Sequence, residues 1–358
     1  MGKRLVRLLW LGVITVTFVM VWGLVQAAEP IKMGAFFDLS GPASSIGTPT
    51  KLVAEMAVAK INKEGGINGR QIELVMGDTE GDPTKSITIV KKFINVDKVA
   101  AIIGPTRTDT GMAVKKMIET AQIPTFMTVG GDPVIMEGKV GNIDLGTARW
   151  IFKSPQRSST AVQKILDFLK AKGWTKIAII TSSDGFGRDG KVWLTKLAPD
   201  KGVQVIAEES FEPKDADMTA QLTKIKAADP QAIVCWTIGP AGAIVAKNRM
   251  QLGIAAPFFQ CHGLPDPMYI KLAGPASEGN YMPSTKLMAW EQLSDNDPQK
   301  KVIAEFVHQY NDVYKYNEKF PINTHSGYAW DAIGIVAEAI GKAGTEKDKL
   351  REAIANTK

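Results

Sequence analysis

The residues of this 358-residue chain that could do chemistry sit in loops, and they lack the company that catalysis needs. Histidine occurs three times, as His262, His308 and His325, and no two of them stand at metal-ligand spacing. Two cysteines, Cys235 and Cys261, can neither build a four-thiolate zinc site nor staple a chain of this size. There is no G-x-S-x-G elbow, and no serine or cysteine is tied to a histidine by position. An enzyme is therefore not expected, nor is any cofactor. Gly185-Phe186-Gly187-Arg188-Asp189-Gly190 satisfies the G-x-G-x-x-G dinucleotide pattern. Its first glycine comes late after the preceding strand, however, and the stretch falls mid-chain.

What remains is hydrogen-bonding chemistry toward an anion. Pro105-Thr106-Arg107-Thr108-Asp109-Thr110 places hydroxyls and a guanidinium just ahead of a helix, where charge-assisted hydrogen bonds contribute about 1.5 to 3 kcal/mol each. Thr108 or Asp109 could equally serve as a plain helix cap. Thr128-Val129-Gly130-Gly131-Asp132-Pro133 pairs two glycines whose amides can form an anion nest or simply a turn. Three further loops belong with these: Asp38-Leu39-Ser40-Gly41-Pro42, Ser182-Ser183-Asp184 leading to Phe186, and Cys261-His262-Gly263. His262 ends a strand where a ligand would lie, whereas His308 sits in a mostly polar helix and reads as structural.

The elements that must hold these loops are strands and helices in alternation. From Ile31 onward, apolar β-branched runs (31–37, 71–77, 99–104, 124–129, 176–181, 203–208, 232–238, 257–260) alternate with amphipathic stretches (51–64, 83–95, 111–121, 160–172, 218–228, 241–252). That alternation is the pattern of an α/β fold with parallel sheets. In such sheets ligands bind beyond the carboxyl ends of the strands, against helix N-termini, which is where the five loops fall. The length favours two lobes over one. Candidate crossings between them are 146–155 and 278–284, after which helices predominate over 297–317, 326–342 and 346 to the end.

Residues 1–7 are basic, Leu8 to Val25 are uncharged, and Val25-Gln26-Ala27 offers small residues at cleavage offsets. This pattern predicts a signal peptide over 1–27 and a periplasmic protein; an uncleaved membrane anchor is the rival. Setting Lys3, Arg4 and Arg7 aside takes Lys+Arg from 43 to 40 against 37 Asp+Glu, so the net charge falls from +6 to +3. A near-neutral chain without a basic stripe is not expected to bind nucleic acid.

In this order the loops resemble the leucine/isoleucine/valine-binding family of periplasmic solute-binding proteins. The resemblance is carried by Ile31-Lys32-Met33-Gly34 with Ser40-Gly41-Pro42, and by Glu64-Gly65-Gly66-Ile67-Asn68-Gly69-Arg70 with Gly81-Asp82-Pro83. It continues through Ile102-Ile103-Gly104-Pro105, Asp184 with Phe186-Gly187, Leu272-Ala273-Gly274 and Glu278-Gly279. It implies two Rossmann-like α/β lobes with parallel sheets joined by hinge strands. Residues 28–149 with 282–345 would form the N-terminal lobe and 150–281 the C-terminal lobe, with a terminal helix over 346–358 and a chain that stops before a third crossover. It also implies a monomer that closes on a small carboxylate or amino acid and hands it to an inner-membrane ABC permease. A sensing subunit of a receptor on the same fold is the alternative.

The expected site comprises Ser40, Thr106, Arg107, Thr108, Val129, Gly130 and Gly131 from one lobe, with Phe186, His262 and Tyr328, the last of which could equally be core; the resemblance implies that the loops of Thr108 and of Gly130 and Gly131 hold a carboxylate while Phe186 and His262 reach in from the second lobe. His262 stands where the family carries the acid that pairs an α-ammonium, Gly131 replaces a threonine, and Phe186 a tyrosine. Burying an ammonium without an anionic partner is costly, so the substitution favours aromatic or keto acids. Asp38, Asp132 or Asp184 could still supply the charge, which keeps amino acids open. Trp150, Trp236 and Trp330 could wall the cleft or fill the core. Cys235 and Cys261 could bridge in an exported protein, although buried free thiols suit the apolar run around Cys235.

Overall fold

The computed structural model describes residues 29–140 and 143–357, so the expected signal peptide lies outside the described residues. Eleven strands are present among them: β1 Ile31–Phe37, β2 Ile72–Asp78, β3 Ala101–Ile103, β4 Thr125–Met127, β5 Gly138–Val140, β6 Ile143–Gly146, β7 Ile151–Lys153, β8 Lys176–Ser182, β9 Gln204–Phe211, β10 Ala232–Trp236 and β11 Phe258–Gln260. The α-helices are α1 Ser44–Lys63, α2 Pro83–Lys92, α3 Thr108–Ala121, α4 Ser158–Ala171, α5 Gly185–Leu197, α6 Thr219–Ala227, α7 Pro240–Gln251, α8 Pro267–Ala273, α9 Lys300–His308, α10 Ser326–Ala343 and α11 Lys347–Ala355.

Two parallel sheets result, ordered β2-β1-β3-β4-β7 and β11-β10-β8-β9, as the alternating pattern predicts. Their central strands are apolar on both faces because helices cover both. Ile177, Ala178, Ile179 and Ile180 of β8 are all buried, alternately against α6–α8 and against α4–α5. In the first sheet, β1 is covered by α1 and α10 on one face and by α2 and α3 on the other. Strand order reverses beside β1 in the first sheet and beside β8 in the second, so each sheet opens a crevice at its strand tips.

Local departures from the sequence expectation have local causes. Helix α1 begins at Ser44 and carries Pro49 inside it, because burying Ile46, Val53, Ala54 and Met56 outweighs the hydrogen bond that a proline removes. The helix expected over 297–317 stops at His308 and continues as a π-helical turn over Gln309–Val313. The antiparallel hairpin of β5 and β6 was not foreseen. Cys235 and Cys261 are buried free thiols, and they point into the cores on opposite faces of the second sheet.

After β7, which pairs with β4 in the first sheet, the chain passes through Ser154–Arg157 into α4 under the second sheet. The boundary expected at residue 150 falls just before that strand. The chain returns beyond Tyr281, whose backbone extends the β11 edge. A buried ionic cluster sits beside the first passage. The Asp132 carboxylate, on the first-lobe side, accepts the amides of Ser158 and Ser159 at the start of α4 (3.1 and 3.2 Å) and pairs with Lys153 at 3.2 Å. In return Asp189 of α5 accepts the backbone N–H of Asp132 at 2.9 Å. Burial would raise Asp132, but Lys153, Ser159 and Arg157 outweigh it and hold this carboxyl below the usual range. Burial pushes Asp189 up to about 6.

Removing one partner of such a pair strands a buried charge. Asp132→Ala is expected to cost about 3 to 5 kcal/mol of unfolding free energy, measured by urea denaturation, and a loss under about 1 kcal/mol would contradict the assigned role.

Candidate functional site

The tips of the two sheets face each other, and the space between them is walled from both sides. From the first lobe come Thr106, Arg107, Thr108 and Asp109 at the start of α3, with Thr128 and Gly130 from the loop after β4. The first amides of α3 have no helical acceptor and carry the positive end of its dipole, so this wall suits an anion. Thr106 is fixed by accepting the Asp38 amide at 3.0 Å, and the Thr128 hydroxyl donates to the Pro105 carbonyl at 2.7 Å, tying the two loops together.

From the second lobe come Asp184, Phe186, Ile238, His262 and Gly263. The His262 ring is packed edge-on against Phe186 and Trp236, each with ring centres 5.3 Å away. It is buried, and neither ring nitrogen has a hydrogen-bond partner among the described residues. Burial, more than the nearby Lys153 charge, pushes it down to about 3, so the imidazole is neutral at pH 7 and can donate from one nitrogen and accept at the other. His325, at the start of α10, bonds the Gly263 carbonyl through Nε2 at 3.1 Å; a carbonyl only accepts, so Nε2 carries the proton. Burial pushes His325 down to about 4. The Tyr328 hydroxyl donates to Gln156 at 3.1 Å, beside the interlobe passage.

Two charge pairs cross the cleft. Asp109 takes the Gly185 amide at the start of α5 through both oxygens at 3.0 Å, and Arg188 lies 3.3 Å from it. Asp184 caps α5 through the Gly187 amide at 2.9 Å and meets Arg107 from the opposite lobe at 3.2 Å. Each lobe thus lends an aspartate to the other's basic helix start. With the lobes drawn together, only about 20 Å³ admits the centre of a water molecule, the space of roughly one or two waters.

Of the residues singled out in the sequence, Thr106, Arg107, Thr108, Gly130, Phe186, His262 and Tyr328 come together on this cavity. Ser40 lies outside it, its hydroxyl bound to Asp78 at 2.7 Å. Val129 points into the first-lobe core, because alternation along the loop sends its side chain away from the cleft. Gly131 backs onto Thr108, where a methyl group would come within 2.6 Å of the threonine hydroxyl. Trp150 is core, Trp236 supports His262 from beneath, and Trp330 packs on Phe306. Sequence reasoning did not assign Ile238 or His325 to the site, and it named Asp109, Thr128 and Gly263 only as members of candidate loops; for Asp109 the signal was its place beside Thr108 at a helix start.

A methyl group on Gly130 would sit 2.7 Å from Phe186 Cε2 and 2.9 Å from His262 Nε2, both on the opposite lobe. Gly130→Ala is therefore expected to hold the lobes apart while each lobe folds normally. Small-angle scattering should show a larger radius of gyration than wild type, and an unchanged radius would remove the argument. Acid should also act through the histidines. The unfolded chain protonates His262 near 6.5 and the folded chain only near 3, so this contribution is complete above about 6.5 and is lost progressively as pH falls toward about 3. Melting temperature across that range should fall less steeply in His262→Gln than in wild type; parallel curves would contradict the neutral, buried imidazole.

Comparison with known proteins identifies the family and the fold. The family model described as Periplasmic binding protein matches residues 30–358. The leucine-, isoleucine-, valine-, threonine- and alanine-binding protein of Pseudomonas aeruginosa is 27% identical over 334 residues, covering 93% of this chain and 84% of its own. An extracellular ligand-binding receptor from Rhodopseudomonas palustris superposes with a TM-score of 0.80 at 26% identity, covering 91% of this chain and 87% of its own. The substrate-binding protein LivJ from Streptococcus pneumoniae, solved with isoleucine, shares the fold with a TM-score of 0.75 at 22% identity, over 92% of this chain and 88% of its own. The chain belongs to the periplasmic binding protein family, as the resemblance of its loops implied, and so to a family of solute-binding proteins rather than of enzymes.

Proposed function

We propose that this protein captures a small carboxylate between its lobes outside the cytoplasmic membrane and delivers it, chemically unchanged, to an ABC permease of the branched-chain amino acid type. The observation that carries this is the pairing of two walls. Free amides and threonine hydroxyls at the start of α3 face a buried, neutral His262 whose nitrogens are unspent. The first wall suits a carboxylate, and the second suits a neutral oxygen or an aromatic ring on the same solute.

Such a solute is larger than the space between the closed lobes, so it enters when the lobes part and then stabilises their closure through contacts with both. Closure is what a permease would recognise. A leader over 1–27 would place the protein in the periplasm as a monomer, and among the described residues no helix is long and apolar enough to cross a membrane. The names of the Pseudomonas and Streptococcus relatives support an α-amino acid as a second ligand class, and that of the Rhodopseudomonas structure supports a receptor as a second setting.

A thermal-shift screen over amino acids, 2-oxo acids and benzoate-like acids tests the reading, since a ligand that binds only the folded protein stabilises it by about 2.7 kcal/mol at a hundredfold excess over Kd. At least one carboxylate should raise the melting temperature, and none doing so would refute the proposal. His262→Ala should reorder the hits more than it lowers the ligand-free melting temperature at pH 7.

A further inference from the structure

We infer that Arg107 determines which solutes this cleft accepts, by neutralising the more deeply placed of the two carboxylates that line it, which could otherwise hold a solute's ammonium group. The inference rests on the carboxylate-binding reading above and specifies its solute class.

Two carboxylates line the cavity, Asp109 and Asp184, and each faces a guanidinium from the other lobe. They are not equivalent. Asp109 lies toward the rim, where its partner Arg188 is 62% exposed and the charge is screened by water. Asp184 and Arg107 are only 8% and 16% exposed, so that pair is set in the wall of the cavity. The oxygens of Asp184 are also engaged locally, Oδ1 by the Ser182 hydroxyl and the Gly187 amide, both at 2.9 Å, and Oδ2 by Arg107. His262 lines the same cavity, uncharged and with both nitrogens unpartnered.

An α-ammonium entering the cleft would therefore meet a wall whose negative charge is already matched and a ring that carries none. It would give up its hydration without a counter-charge, whereas a keto or hydroxyl oxygen at the same place could take a hydrogen bond from His262. Removing the guanidinium reverses the balance. Asp184 is then left as an unpaired charge in the cavity wall, and an ammonium is the group that would restore neutrality.

The test is isothermal titration of two matched pairs that share a skeleton and differ at the α-carbon: leucine with 4-methyl-2-oxopentanoate, and phenylalanine with phenylpyruvate. Wild type should bind the 2-oxo member of at least one pair about tenfold tighter than the amino acid. Arg107→Met should shift that ratio toward the amino acid by about tenfold or more, even if closure weakens and both affinities fall. Arg107→Lys keeps the charge and should keep the wild-type preference. Arg107→Met combined with Asp184→Asn, which still caps α5, should lose the gain. Arg107→Gln carries the same test should the methionine variant fold poorly. An unchanged ratio in both Arg107 variants, a gain that survives in the double variant, or a wild-type preference for the amino acids would each overturn the inference and leave carboxylate capture standing. Failure of wild type to bind any carboxylate would take both.

Discussion

Closing two α/β lobes tip to tip brings helix N-termini face to face, and the rest of this structure follows from how that positive potential is met. The starts of α3, α4 and α5 all point at the boundary between the lobes, each with amides that its own helix leaves without acceptors. Aspartates cross the boundary to meet them: Asp109 and Asp132 reach from the first lobe to α5 and α4, and Asp184 reaches from the second to the guanidinium before α3. The groups that stabilise closure are therefore also those that set the charge a solute encounters.

This exchange divides the interface into two zones. Beside the chain passage, the cluster of Asp132, Lys153 and Asp189 is buried and fully bonded, and it also fixes the glycine loop, because Lys153 donates to the Gly130 carbonyl at 2.7 Å. Toward the cleft, the amides of α3 and the imidazole of His262 remain available. A solute of the proposed class would complete what the protein leaves unpaired there, which would make binding and closure one event.

Much of the frame was legible in the sequence because it depends on neighbours along the chain. Apolar runs alternating with amphipathic stretches forecast two sheets whose strand tips carry the loops, and Thr106, Arg107, Thr108, Gly130 and His262 follow from those positions, whereas Phe186 was implied by the family resemblance. Errors arose where the deciding contact is distant or where two local signals compete. Val129 shares a loop with Gly130 but turns into the core, Ser40 is taken up by Asp78, and α1 starts at Ser44 and runs through Pro49, ahead of the helix expected from residue 51.

By itself the sequence determined the class of chemistry: hydroxyls, a guanidinium and paired glycines at helix starts suit an anion, and scattered histidines without nucleophiles do not suit catalysis. Tertiary structure alone decided which charges are available. Arg107 and Asp184 are 77 residues apart, and no local pattern tells that one cancels the other. The same holds for Gly130, whose missing side chain matters because Phe186 and His262 press against it from the other lobe. Local propensity is encoded residue by residue, whereas charge pairing and steric fit across a cleft exist only once both lobes are folded and facing each other.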